Sequence, residues 1–370
     1  MTVGEQDTPV RSPLLAVPGA VAADPAGPDA GVALHYGDPM REQRTLATAA
    51  GLVDRSNRGV LRVPGADRLS WLHTLGTQHL ERLADATGTE LLLLSPHGHV
   101  EHHAVATEYD GVVWLDTEPG AAGPLLAFLE SMRFMLRVEP TDVTGEYAVA
   151  TLVGPDAPAV LAKLGVELPD DASVSPVPPA QFAAGAVPPR PTSTYPVVGL
   201  PDGGFARRMP GFDDAAVIDL VVPRSALPGL ADALGVPLSG AWAYEALRVA
   251  ARRPRLGLDT DHRTIPAEVG FLAPAVHLDK GCYRGQETVA RVHNLGRPPR
   301  RTVLLHLDGT SEELPPPGTP VLRDDRQVGV TGTAVRHHEL GMVTLALLKR
   351  NVPDDATLRV ADVNAAIDPD

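Results

Sequence analysis

The sequence contains one cysteine, Cys282, in 370 residues. A single thiol excludes an intrachain disulfide, a thiolate zinc cage and an iron–sulfur cluster held by this chain alone. It also fits a reducing compartment. No stretch approaches the ~20 consecutive apolar residues that a membrane-spanning helix requires. Basic charge is in short supply, with 32 Lys and Arg against 46 Asp and Glu and a formal net charge of −14, which argues against binding nucleic acid in bulk. The opening Met-Thr-Val-Gly-Glu-Gln-Asp lacks the basic-then-apolar order of a secretory signal, so a cytosolic protein is expected. There is no solenoid-type repeat, no Gly-x-Gly-x-x-Gly after a strand, no phosphate-cradling Gly-x-x-x-x-Gly-Lys-Ser/Thr and no Gly-x-Ser-x-Gly.

The length exceeds what one hydrophobic core usually organises, so two or three domains are expected. The 37 prolines and 35 glycines favour many turns and short elements. Residues 1–30, rich in Pro, Gly, Ala and Asp, read as a flexible leader. After the strand Val60–Val63, Asp67 is placed to cap a helix whose Leu69, Leu72, Gly76, Leu80 and Leu83 recur at helical spacing. Further strands are read at Leu91–Leu94, Ala104–Ala106, Val112–Leu115, Tyr147–Val153 and Val217–Val222, with a helix through Leu125–Leu129. The Pro-rich stretch 173–191 reads as a linker or exposed loop. Ser239 is a candidate N-cap for a helix from Ala241 to about Arg252, stopped by Pro254. From residue 299 onward, short strands separated by Gly, Pro and Asp turns predict a small β-barrel domain. The fold class is therefore α+β, with a mixed region over 31–298 and the barrel over 299–370.

Between Ala241 and Arg301 the charge balance reverses, with eleven Lys or Arg and six Asp or Glu. A basic island in an acidic chain suggests one localised anionic ligand, or alternatively a set of surface ion pairs. Within it Glu245, Arg248 and Arg252 share a helical face. Cys282 lies in Lys280-Gly281-Cys282-Tyr283-Arg284-Gly285-Gln286-Glu287. If that segment is extended, Lys280 and Arg284 flank the thiol on one face and would lower its pKa; simple packing of a small apolar side chain is the other reading. The glycines permit a tight turn or close approach, and Gln286 and Glu287 offer paired polar groups for a ligand with alternating donors and acceptors. His97, His99, His102 and His103 cluster in sequence, but strand alternation sends His102 and His103 to opposite faces, so no metal site is assigned.

The octapeptide 280–287, with Arg291 four residues on, resembles the signature of the YgfZ family, folate-binding proteins of iron–sulfur cluster assembly and repair related to the glycine-cleavage T-protein. His35-Tyr36-Gly37, Gly51-Leu52-Val53-Asp54-Arg55-Ser56, Val63-Pro64-Gly65-Ala66-Asp67-Arg68, Trp71-Leu72-His73 and Glu245-Ala246-Leu247-Arg248 are similar to T-protein segments, so the likeness runs from about residue 32 to near 350. The resemblance implies two aminomethyltransferase-like lobes around a central channel holding tetrahydrofolate. It implies that Arg248 contacts the pterin end, that Lys280 and Cys282 sit at the channel mouth, and that Gln286 and Glu287 assist folate binding. Cys282 is then a functional thiol, and the partners are folate and iron–sulfur client enzymes, including tRNA-modifying ones. A folate-dependent aminomethyl transferase or demethylase, or a non-catalytic folate-binding scaffold, are the alternatives. The transferase aspartate pair is replaced by Gly98-His99-Val100-Glu101-His102, and the T-protein pterin glutamate finds no clear counterpart, the nearest stretch being Met209-Pro210-Gly211-Phe212-Asp213-Asp214.

Overall fold

The computed structural model describes residues 10–169, 193–295 and 297–369. Its centre is an eleven-stranded sheet in the order 238–239, 51–54, 147–154, 215–223, 205–212, 195–199, 87–94, 100–109, 112–117, 59–64 and 141–142. The pairing is antiparallel except where Leu238–Ser239 runs parallel to Leu52–Val53. Each half of the sheet carries its own core. In one half Leu52, Leu152, Ile218 and Leu220 pack against Leu161, Leu227 and Leu234 of the helices Ala157–Ala162 and Leu227–Leu234. In the other Leu61, Leu91, Leu93 and Leu115 pack against Trp71, Leu72, Leu125 and Leu129 of the helices Arg68–Leu75 and Ala122–Ser131. Two lobes with separate cores thus share one sheet. The continuously buried strands 51–54 and 147–154 sit where helices cover both faces.

Strands 300–307, 341–349, 326–337, 320–323, 358–360 and 363–367 close into a six-stranded barrel, as the turn spacing predicts. The barrel rests on the helix Ala241–Ala250, where Leu304, Val335, Val343 and Leu345 bury Ala246 and Val249.

Several local expectations are revised. Residues 10–30, placed in a flexible leader, are folded: Leu14 is buried in the first lobe's core, Val21–Ala22 pairs with Ala33–His35, and Asp29 bonds Arg255. Residues 1–9 and the whole of the Pro-rich stretch 173–191 lie outside the described residues. The helix after Asp67 stops at Leu75 rather than continuing to Leu83, because the following chain crosses the strand 87–94 too closely: a Cβ on Gly76 would lie 2.1 Å from Leu91 Cδ1. Asp67 makes no capping bond and instead holds Arg137, with Oδ1 2.6 Å from Nη2. The helix Ala241–Ala250 is capped by Gly240, whose N–H donates to Glu42 Oε2 at 2.9 Å, while Ser239 is buried beside it.

Candidate functional site

Between the lobes lies a cavity of about 270 Å³. Its walls come from the segment after strand 51–54 (Arg55, Arg58), from strands 87–94 and 100–109 (Glu90, His103), from the hairpin 205–223 (Met209, Phe212, Asp219), and from the end of the helix Ala241–Ala250 onward (Tyr244, Arg248, Arg252, Arg253, Arg255). Six arginines face three carboxylates, Glu90, Glu118 and Asp219, so the wall is net positive inside an acidic protein. Four of the six, Arg248, Arg252, Arg253 and Arg255, come from the basic stretch 241–301, and Arg55 and Arg58 from outside it.

Most of those arginines are already committed. Arg58 reaches Asp116 at 3.0 Å and Glu118 at 2.8 Å; Arg207, which does not line the cavity, spans the same Asp116 at 2.7 Å and the wall residue Asp219 at 2.9 Å. Arg255 takes Glu118 at 2.7 Å, Asp29 at 3.0 Å and Glu245 at 3.1 Å. Burial would raise the Glu118 pKa, but Arg255 and Arg58 overcome it and hold the carboxyl well below its usual range. Arg55 lies over the Tyr244 ring, 4.3 Å from its centroid. Arg253 differs: it is half-buried in the wall, and among the described residues its guanidinium makes no hydrogen bond or ion pair. Its place is set by the helix end. Arg252 adopts φ 52°, and the Arg253 N–H donates to Arg248 O at 3.0 Å, closing the helix in the manner of a left-handed C-terminal cap.

The buried carboxylate Glu90 accepts from the Tyr195 hydroxyl at 2.6 Å and lies 2.8 Å from His103 Nε2. Burial favours its neutral form, yet the bond from His103 keeps its pKa below normal. Neither Glu90 nor Arg253 was singled out as a ligand residue in the sequence, and His103 was weighed there only within the histidine cluster 97–103. Strand 87–94 is buried along almost its whole length, so a glutamate within its apolar run was the available signal, but nothing local says that two antiparallel strands aim their polar residues into the same cavity.

The residues that sequence reasoning did single out are not all brought together. Arg248 lines the cavity but is saturated: it bonds Glu245 at 2.6 Å, Asp259 at 2.9 Å and Thr333 Oγ1 at 2.8 Å, and also donates to Arg253 O. Lys280, Cys282, Gln286 and Glu287 do not line it. Lys280 is buried, and its Nζ donates to the carbonyls of His73, Gly76 and Gln78 (the last two at 2.6 and 3.1 Å), with burial pulling its pKa down to about 7. Gln286 Nε2 donates to Lys280 O at 3.1 Å, and Glu287 is exposed in the first turn of the helix Gln286–Leu295. Cys282 is exposed, which removes the reading of a packed apolar side chain. The flanking cations do not share its face: Lys280 is directed inward to three carbonyls, and Arg284 pairs with Glu101 at 3.3 Å. That pair also places Glu101, the stand-in for the transferase aspartate, outside the cavity lining. From the stretch 209–214, Met209, Pro210 and Phe212 line the cavity, whereas Asp213 and Asp214 do not.

The histidines separate as alternation predicts. His102 packs against Phe128, and His103 stacks on Phe271 while bonding Glu90. A different group converges instead: His73, His79 and Glu81 bring one potential ligand atom each within 4.8 Å of one another. Their sequence spacing matches no familiar metal motif, so nothing local announced them.

Comparison with known proteins places this geometry. Residues 36–183 match the GCVT N-terminal domain, and residues 300–370 match the CAF17 C-terminal beta-barrel domain. The chain has the aminomethyltransferase-like fold followed by a closed six-stranded barrel, and the two matches together support the T-protein superfamily and a chain of the CAF17/YgfZ type. It is similar to the aminomethyltransferase of Shouchella clausii, 26% identical over 84% of this chain and 81% of that one. The aminomethyltransferase of Listeria monocytogenes strain HCC23 is 27% identical over 92% and 89%. A chloroplastic Arabidopsis thaliana protein with a provisional transferase name is 26% identical over 75% of this chain, and the match spans only 60% of the plant protein. The crystal structure of the glycine cleavage system aminomethyltransferase T from Bartonella henselae superposes with a TM-score of 0.76 at 18% identity, covering 96% of this chain and 95% of that one. Among the described residues no helix is long and apolar enough to cross a membrane.

Proposed function

We propose that the central cavity binds a tetrahydrofolate-type ligand and that the chain is an accessory protein supporting assembly or repair of iron–sulfur enzymes, tRNA-modifying ones among them. The observation that carries the ligand reading is Arg253, a cation in the cavity wall with no hydrogen bond or ion pair among the described residues. A guanidinium in that state is complementary to a carboxylate such as those on a folate's glutamate tail. Glu90, held ionised by His103, is an acceptor suited to the N–H groups of a pterin. Arg248 frames the cavity, while Lys280 and Gln286 shape the segment that presents Cys282 to solvent. The exposed thiol, rather than the cavity, is then the point of contact with an iron–sulfur client, in a cytosolic setting.

Titration calorimetry with tetrahydrofolate tests the first half. Arg253→Ala should weaken binding at least tenfold, about 1.4 kcal/mol, and a wild-type protein that binds no folate sinks the reading. The second half is tested in a deletion strain by the activity of iron–sulfur enzymes. Cys282→Ala should fail to restore it while keeping folate affinity; full rescue would show that the thiol is dispensable.

A second reading, folate-dependent aminomethyl transfer, is favoured by the names of the bacterial relatives. Against it stands the carboxylate position. Glutamate already moves the charge by one methylene relative to aspartate, and here Glu101 faces Arg284. Turnover of an aminomethylated carrier protein that disappears in Glu101→Gln would promote this reading over the first.

A further inference from the structure

Outside the cavity, the loop that follows the helix Arg68–Leu75 folds back over that helix's last turn. Lys280 holds it from beneath through the carbonyls of His73, Gly76 and Gln78, and Thr77 and Gln78 tie it to Ala275 and Pro274 at 2.6 and 3.1 Å. The loop is therefore braced on both sides, and its outward side chains are His79 and Glu81, next to His73 on the helix.

Three features of these side chains point to a ligand. Their donor atoms already lie within 4.8 Å of one another, whereas a tetrahedral ion with ligands about 2.0–2.1 Å away holds its donors roughly 3.3 Å apart. The remaining convergence is small and is open to Glu81, which is exposed and makes no hydrogen bond or ion pair among the described residues. Second, His79 Nδ1 is buried without a hydrogen-bond partner, a state that normally demands an explanation. Third, His73 Nδ1 receives only a long N–H from Leu80, 3.3 Å away, so its lone pair is weakly held. The two rings stand edge to face with centroids 4.6 Å apart.

We propose that His73, His79 and Glu81 form a binding site for a divalent transition-metal ion of the zinc class. Two imidazoles and one carboxylate are a donor set for zinc and its neighbours rather than for magnesium or calcium, which prefer oxygen alone. Three protein ligands leave at least one coordination position open, as in sites where the metal meets water or a partner's donor. Lys280 opposes a cation here, but its ammonium is turned to three carbonyls and Glu81 supplies the compensating charge. The inference is independent of the folate reading, because none of the three residues lines the central cavity.

The test uses full-length protein stripped of metal, titrated with Zn²⁺ in competition with a chromogenic chelator and, in parallel, with Co²⁺ read by its visible ligand-field absorption. One equivalent should bind, with Co²⁺ bands of tetrahedral or five-coordinate intensity. Loss of an outer-shell partner costs a metal site 10–100-fold, so removal of a direct ligand should weaken binding by at least about 100-fold in His79→Gln and in Glu81→Gln. Glu81 is exposed, so its substitution leaves the fold in place even if His79→Gln does not. Arg253→Ala should bind zinc like the wild type. Wild-type affinity no tighter than that of Glu81→Gln, or zinc binding lost only on replacing His97 and His99, overturns the assignment.

Discussion

At the scale of the residue, the octapeptide 280–287 shows how far a sequence pattern reaches. Of its two glycines, Gly281 meets nothing within 4 Å of a built Cβ, whereas Gly285 has φ 82° and a Cβ there would lie 2.6 Å from Ser95 O and 2.8 Å from Gly98 Cα. Gly285 thus interlocks the octapeptide with the turn at 95–99. Gly285→Ala should destabilise the protein by roughly 2 kcal/mol or more, from the left-handed backbone and the backbone clash together, measured as a lower midpoint in urea. Gly281→Ala should change that midpoint little. Sequence alone identified both glycines as permissive but not which one was needed, because that depends on a turn nearly 190 positions away. The same limit applies to Lys280: it was read as a cation beside the thiol, but the carbonyls that receive its Nζ belong to the distant segment 73–78.

Elements were legible where periodicity and burial agree. The helix at 241–250 and the barrel strands follow directly from apolar spacing and turn residues. The helix 68–75 was over-extended because Leu80 and Leu83 are buried at helical spacing yet reach the core from a loop. At the barrel's first strand, Arg300 joins this domain to the segment before it, reaching Glu268 at 2.8 Å and Asp261 at 2.5 Å. Burial would raise the Asp261 pKa, but the bond from Arg300 and its neighbours lowers it from 3.8 to about 2. A depressed carboxylate stabilises the fold above its unfolded pKa and loses that contribution as pH falls through the folded one, here between about pH 4 and pH 2. Arg300→Leu should lower stability near neutral pH and flatten the decline in urea midpoint on acidification. An unchanged slope would place the acid sensitivity elsewhere.

On the scale of the whole molecule, composition and spacing gave the two-part architecture, and the resemblance gave the two lobes. Which polar residues face the shared cavity emerges only when two lobes, a barrel-bearing helix and the segment 251–274 are assembled, so Glu90 and Arg253 were silent in the sequence while Arg248 was audible. Assembly also decides what Arg248 does. The Thr333 hydroxyl and Asp259 hold it at the barrel junction, where Asp259 in turn accepts the Thr333 N–H at 2.6 Å. One guanidinium therefore serves both as cavity wall and as the seam between domains. Any occupant that draws on Arg248 competes with the seam for it, and thermodynamic reciprocity makes the two events equal in cost: whatever free energy the occupant withdraws from barrel docking, a docked barrel withdraws from the occupant. Cavity and barrel are in that sense a single balance with one shared arm, and a partner that grips the barrel would be felt inside the cavity without touching it.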